Sequence, residues 1–98
     1  MDEATELRRL RMRAWRRGTR EMDLILGPFA DERIAALSDA ERARFDRLLS
    51  ENDHDLYQWI TARIGPRDGT PPRGPVEYTG LLDQVARHAA QRLRPAGS

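Results

Sequence analysis

Residues 8–20 read RRLRMRAWRRGTR and Glu21 follows, so seven arginines stand within thirteen residues. Clustered guanidinium groups can neutralise backbone phosphates, and binding of that kind falls steeply with salt. They can also border a protein-binding face, because arginine beside aromatic and small residues is favoured at interface centres. A third reading is a solvated helix face with no ligand. The acids Glu3, Glu6, Glu21 and Asp23 flank the run and oppose the phosphate reading. No set of aromatic platforms for single-strand bases accompanies it, and no base-reading helix stands out. A small basic nucleic-acid-binding helical protein using Arg8 to Arg20 is therefore the rival to a protein-binding one. Within the run, Arg17 and Glu21 have the four-residue spacing of a helical ion pair. Arginine before glutamate is the weaker order, and an exposed pair contributes only ~0.3 kcal/mol. Such a pair does not explain Gly18 beside it. A glycine at a helix start lets a partner's backbone approach closely, which does.

Other chemistries find less support. His54 and His88 fall on different predicted helices, with no second histidine or cysteine at ligand spacing. Both read as solvated surface histidines, and no metal site is expected. Asp53 and Asp55 form a carboxylate pair, but acids collect in a helix's first turn for dipole reasons, so they read as caps. No nucleophile elbow, phosphate-cradling glycine loop or dinucleotide fingerprint occurs. With no pocket evident either, the chain does not read as an enzyme. Its 98 residues include no cysteine, which excludes disulfides and thiolate chemistry. An apolar fraction of 39% with 34% charged fits one soluble globular domain. The net charge of +1 exerts no global pull on nucleic acid. Seventeen arginines and no lysine fit GC-rich coding, a hint of a bacterial source, with a preference for bidentate ion pairs as the alternative reading. No apolar run has the length of a membrane span, and the acidic Met1-Asp2-Glu3-Ala4 is unlike a basic presequence. A cytoplasmic protein without a membrane partner is expected.

The elements that must position these residues are helical. Leu7, Leu10 and Ala14 make an apolar stripe on a first helix over 4–16, with Arg9, Arg13 and Arg16 opposite and Trp15 at the edge. Gly18 interrupts it. A second helix from about Thr19 buries Met22, Ile25, Leu26 and Phe29, and Gly27-Pro28 is expected to break or kink it near Leu26. Residues 31–37 add a turn or two with Ile34 and Leu37 inward, either as a separate helix or as a bent continuation. Ser38-Asp39-Ala40-Glu41 matches a capping box, starting a helix that buries Phe45, Leu48 and Leu49 and stops near Ser50. Asn52 or Asp53 caps the next helix, where Leu56, Trp59, Ile60 and Ile64 form a core face. Residues 65–75 hold three glycines and four prolines and read as a flexible connection. A last helix runs from about Glu77 or Thr79 to Leu93, burying Leu82, Val85, Ala86, Ala89 and Leu93, with a frayed tail over 95–98. No strand-type alternation or repeat occurs. The expectation is an all-α bundle, one domain over 1–98 with its core over about 5–93.

Arg17-Gly18-Thr19-Arg20-Glu21, followed by Met22-Asp23, resembles the RGxxE signature of the FAD assembly factor family. This is the SdhE group, also called succinate dehydrogenase assembly factor 2. Leu48-Leu49 and Asp53-His54-Asp55-Leu56-Tyr57-Gln58-Trp59 resemble that family's D-x-D-L-(aromatic)-x-W stretch, and Pro28-Phe29 and Leu37-Ser38 also match. The resemblance covers residues 5–64 and implies a small five-helix bundle that is not itself an enzyme. It implies binding to the flavoprotein subunit of succinate dehydrogenase, and in some bacteria of fumarate reductase. There it implies promotion of covalent attachment of FAD to a histidine of that subunit. Carried onto this chain, Arg17, Gly18 and Glu21 lie at the interface, with Arg16 and Asp23 as neighbours. Leu56 and Trp59 are core residues that orient the motif, and the other arginines form the rim. FAD belongs to the partner, no cofactor is bound by this chain, and the free factor is expected to be a monomer. The 65–75 connection is longer than this compact family needs.

Overall fold

The computed structural model describes residues 2–64 and 74–93. Among these residues there are five α-helices, two short 3-10 turns and no strand. The helices are α1 (Glu3–Trp15), α2 (Arg20–Arg33), α3 (Asp39–Leu48), α4 (Asp53–Ile64) and α5 (Thr79–Leu93). None is long and apolar enough to cross a membrane. Asp2 starts α1 by accepting the Thr5 amide at 2.7 Å, which satisfies one of the free N-terminal donors. Leu10 and Ala14 are fully buried and Leu7 packs against them, so the expected stripe is the contact face.

The expected break at Gly27-Pro28 is absent. The second helix runs unbroken through both residues to Arg33, and a 3-10 turn, Ile34–Ala36, continues it. Residues 31–37 are thus a continuation and not a separate helix. Pro28 removes one intrahelical hydrogen bond, but Gly27, Pro28, Phe29 and Ala30 are all buried. Tertiary packing outweighs local propensity here, as it does for most helices. Trp15 makes the packing specific. A Cβ added at Gly27 would overlap the Trp15 ring carbons Cδ2, Cε2 and Cε3, so the indole lies directly on the α2 backbone. Its Nε1 donates to Asp31 Oδ2 at 3.1 Å.

The capping box before α3 forms as the sequence implies. Ser38 Oγ accepts the Glu41 amide at 3.2 Å, and Glu41 Oε1 accepts the Ser38 amide at 3.0 Å. Asn52, and not Asp53, caps α4, its Oδ1 accepting the amides of His54 at 2.8 Å and Asp55 at 3.3 Å. Leu56 and Ile60 are fully buried and Trp59 packs against the core, but Ile64 is 38% exposed, so the core face of α4 ends one turn early. The fifth helix buries Leu82, Val85, Ala86 and Ala89 as expected, and Leu81 and the preceding Tyr78 besides. The side chain of Leu93, most of the 65–75 connection and the 95–98 tail lie outside the described residues.

Arginines tie the helices together in ways the pattern did not indicate. Arg9 donates to both carboxylate oxygens of Asp46 on α3, at 3.2 and 2.8 Å. Arg13 donates to the same carboxylate, to the Asp46 carbonyl at 3.1 Å and to Ser50 Oγ at 3.1 Å. These two arginines, expected on the solvent side of α1, are half-buried cross-helix clamps. Arg42, buried to 6% exposure, donates to the Ile34 and Ala35 carbonyls at 3.1 and 2.8 Å and to Glu3 at 3.1 Å. Arg63 joins α4 to α5 through Asp83 at 2.8 Å. His54 is exposed as expected. His88 is not a solvated surface residue: its ring stands edge-on to Phe29, 5.7 Å between centroids, and its Nε2 pairs with Glu32.

Two outcomes follow from this packing. Gly27→Ala forces Trp15 off α2 and should cost about 1–3 kcal/mol, as overpacking does; a lower melting temperature and red-shifted tryptophan emission would report it. Asp46 is held below the ordinary carboxylate range, chiefly by the Arg9 hydrogen bond; burial opposes this, and the charges of Arg9 and Arg13 support it. A depressed folded pKa contributes stability that is complete above the unfolded value, about 3.9, and is lost as pH falls through the folded value. Denaturant midpoints for the wild type should therefore drop more steeply below about pH 4 than those of Asp46→Asn.

Candidate docking site

The predicted docking residues lie in the link between α1 and α2 (Arg16, Arg17, Gly18) and in the first turn of α2 (Glu21, Asp23). The first helix ends at Trp15, and Arg16 leaves it with φ −123° and ψ 54°. Gly18 then takes φ +99°, a left-handed conformation that strains any L side chain. Thr19 is extended at the head of α2 and makes no side-chain cap. In its place, Asp23 reaches back from the first turn of α2, and its Oδ1 accepts the Arg17 amide at 2.7 Å. The loop is closed by its own downstream carboxylate.

The Arg17 side chain turns inward, with only 11% of its area exposed. Its Nε donates to Asp53 Oδ1 at 2.8 Å, its Nη2 to the Glu51 carbonyl at 2.9 Å, and its Nη1 to the Leu49 carbonyl. Carbonyls at a helix C-terminus lack intrahelical partners, and Arg17 supplies donors where α3 ends and α4 begins. The Arg17–Glu21 pair considered from spacing does not form, because Arg17 precedes α2 and bonds elsewhere.

Glu21 is exposed, and its side chain makes no hydrogen bond or ion pair with the described residues. A Cβ placed on Gly18 would have nothing within 4 Å, so the loop crest faces open space. Between the starts of α2 and α4 lies a shallow groove of about 360 Å³ lined by Thr19, Glu21, Met22, Asp53, His54 and Tyr57. Tyr57 is 42% exposed, and Leu24, one turn beyond Glu21, is 47% exposed. Neither was assigned to the docking surface from the sequence, although Tyr57 is the aromatic of the matched stretch and both fall off the apolar faces of their helices. Leu56 and Trp59, on the inner side of α4, hold Tyr57 and His54 outward. Arg16 is exposed on the α1 side of the loop.

This arrangement gathers Gly18 and Glu21 on one surface with Arg16 beside them. It places Arg17 and Asp23 underneath as the frame. Arg9, Arg13 and Arg17 each bond to a carboxylate of the chain, and Arg11 lies 4.0 Å from Asp31. The field offered to a phosphate backbone is correspondingly weaker than seven free guanidinium groups would give. Asp53 accepts from Arg17 Nε at 2.8 Å. Among the described residues no group of three or more His, Cys, Asp or Glu could hold a metal ion.

A family model described as Sdh5, flavinator of succinate dehydrogenase, matches residues 8–89. The chain belongs to this family. It is 32% identical over 81 residues to the FAD assembly factor SdhE of Aliivibrio fischeri, covering 83% of this chain and 86% of that one. To SdhE of Pseudomonas aeruginosa it is 40% identical over 68 residues, 69% and 80% of the two chains. The mitochondrial succinate dehydrogenase assembly factor 2 of Aspergillus terreus is 40% identical over 70 residues, 71% of this chain but 23% of its own length. The aligned part thus spans about a quarter of that fungal relative. No solved structure matches significantly. The matched span includes the arginine run, the Gly18 loop, the groove and most of α5.

The geometry separates frame from surface in this flavinator-family chain. Arg17→Ala leaves the Leu49 and Glu51 carbonyls and the half-buried Asp53 carboxylate without donors, and should cost about 2–4 kcal/mol. Glu21→Ala removes an exposed side chain and should change stability by less than about 0.5 kcal/mol. Urea unfolding of the two variants would measure the contrast.

Proposed function

We propose that this chain binds the flavoprotein subunit of succinate dehydrogenase with the surface around Gly18 and Glu21 and promotes covalent attachment of FAD to that subunit. The observation that carries the reading is the state of the motif. In a chain of the flavinator family, Gly18 has open space above it and Glu21 has no partner beside it. A bare backbone crest lets a partner's chain approach closely, and an unpaired carboxylate offers an acceptor to its amides or cations. Leu24 and Tyr57 add apolar area around them. Arg16 supplies a cation at the rim, while Arg17, Asp23, Leu56 and Trp59 keep the surface in shape.

In this reading the chain is an assembly factor and not a catalyst, and the flavin stays with the flavoprotein. The factor acts as a monomer in the bacterial cytoplasm and serves fumarate reductase where the host has one. The bond to FAD forms within the flavoprotein, and the factor's contribution is to favour the partner conformation in which it forms. A ligand stabilises a conformation only by its differential affinity for it, so a rigid complementary surface is what the task requires.

Deleting the gene should abolish or sharply reduce the covalent flavin fluorescence of the host's denatured succinate dehydrogenase flavoprotein. Undiminished fluorescence sinks the proposal. Complementation with Glu21→Ala should leave most of the defect, and purified Glu21→Ala should bind the flavoprotein at least about tenfold more weakly while melting like wild type. Gly18→Leu should also abolish binding, with a modest strain cost of about 1–2 kcal/mol from its left-handed backbone.

A further inference from the structure

The residues that frame the docking loop are themselves gripped from the far end of the chain. Tyr78 is 2% exposed and ends a 3-10 turn, Val76–Tyr78, that leads into α5. Its amide donates to the Pro75 carbonyl at 3.0 Å. Gly74, just upstream, has φ +119°, and a Cβ there would stand 2.9 Å from Leu82 Cδ1 and 3.3 Å from the Trp59 ring. Tyr78 itself belongs to the buried core cluster, and its hydroxyl donates to Glu51 Oε2 at 3.2 Å. Glu51 is the residue whose carbonyl accepts Arg17 Nη2 at 2.9 Å.

We infer that Tyr78 is a positioning residue for the docking loop: by holding the Glu51 side chain it fixes the α3–α4 turn on which Arg17 is anchored. This rests on the docking reading above and deepens it by tying α5 to that surface. The turn Glu51-Asn52-Asp53 is short and polar, with little apolar area of its own to hold it. Glu51 is only half-buried, and its amide bond to the Leu48 carbonyl, 3.0 Å, restrains one side of the residue. The bond from Tyr78 restrains the other. At 3.2 Å the bond is longer than a tight phenol–carboxylate contact, so it acts as a positional tether on the Glu51 side chain rather than as a large source of stability. Burial, together with the hydrogen bond to Glu51, pushes the Tyr78 hydroxyl above its ordinary value, so the donated proton stays in place at neutral pH. If the Glu51 carbonyl drifts, Arg17 loses one of its three acceptors. A long arginine side chain regains rotamer freedom quickly once its bonds loosen, and Gly18 and Glu21 follow through the Arg17 backbone. The order of influence runs from Tyr78 to Glu51, to Arg17, to the exposed motif.

Tyr78→Phe tests this with little damage, because the ring keeps its packing and water can reach the half-exposed Glu51. Amide hydrogen exchange on the full chain, without partner, reads the loop directly: the Arg17 amide is protected by Asp23. Exchange at Arg17 and Gly18 should rise about tenfold in Tyr78→Phe and in Glu51→Ala, while core amides of α1 and α5 hold. Glu51→Gln, which keeps an acceptor, should behave like wild type. Affinity for the isolated flavoprotein subunit should fall about tenfold in Tyr78→Phe. Unchanged loop exchange, or a rise spread evenly over all helices, overturns the inference. So does a loosened loop with undiminished flavoprotein affinity. If wild type itself fails to bind the flavoprotein while the loop still loosens, the docking reading falls and the Tyr78 linkage stands.

Discussion

Where α1 gives way to α2, the chain turns an arginine inward, and its guanidinium meets the end of one helix and the beginning of another. Three donors of Arg17 reach the Leu49 carbonyl, the Glu51 carbonyl and the Asp53 carboxylate. No other side chain could serve all three. Lysine's ammonium is a compact point charge, whereas the planar fork holds its donors at fixed angles. The consequence is geometric as well as energetic. With the side chain anchored below and the Arg17 amide held by Asp23, the backbone of the link has little choice but to crest at Gly18. The motif's arginine and its glycine are two halves of one device: one is buried so that the other is displayed.

Most of the fold was readable because its signals are local. The capping box at Ser38, the apolar stripe of α1 and the core face of α5 each depend on residues within a few turns of each other. The continuous second helix was not readable, since Gly27-Pro28 is a strong local breaker and the force that overrides it comes from elsewhere. Only when Trp15 is seen lying on Gly27 does the glycine become a seat for a neighbouring ring. Ile64 failed the other way: its spacing fits the core face, but the last turn of α4 stands 38% exposed there.

The site was legible to a different depth. Residue pattern and family resemblance singled out Gly18 and Glu21, and these are exposed. Neither source could say that Arg17 faces inward, because its role is set by chain segments distant in sequence; Asp23, by contrast, acts locally on the Arg17 amide six residues away. Arg17 and its acceptors are 32 to 36 residues apart, and Arg9 and Arg13 find Asp46 at comparable separations. An arginine-rich helix looks the same on paper whether its charges face phosphate, solvent or a carboxylate on the next helix. Tyr57 and Leu24 show a related blind spot. An apolar residue that fits a stripe reads as core and one that does not is passed over, and these two misfits are left exposed.

The internal pairing of the arginines also bears on the kind of ligand that would suit this surface. A phosphate-binding stripe works best with cations free to move onto a repeating charge. Here Arg9, Arg13 and Arg17 are locked by Asp46 and Asp53, while Arg16 and Arg20 stay exposed beside the acid Glu21. Such pairing weakens the field that a polyanion would meet. The backbone crest is held from beneath, the exposed Glu21 carboxylate has no partner among the described residues, and Leu24 and Tyr57 stand exposed nearby. Rigid presentation lowers the ordering cost of association. That saving arises under the surface, in the bonds of Arg17 and Asp23, rather than in the atoms a partner would touch.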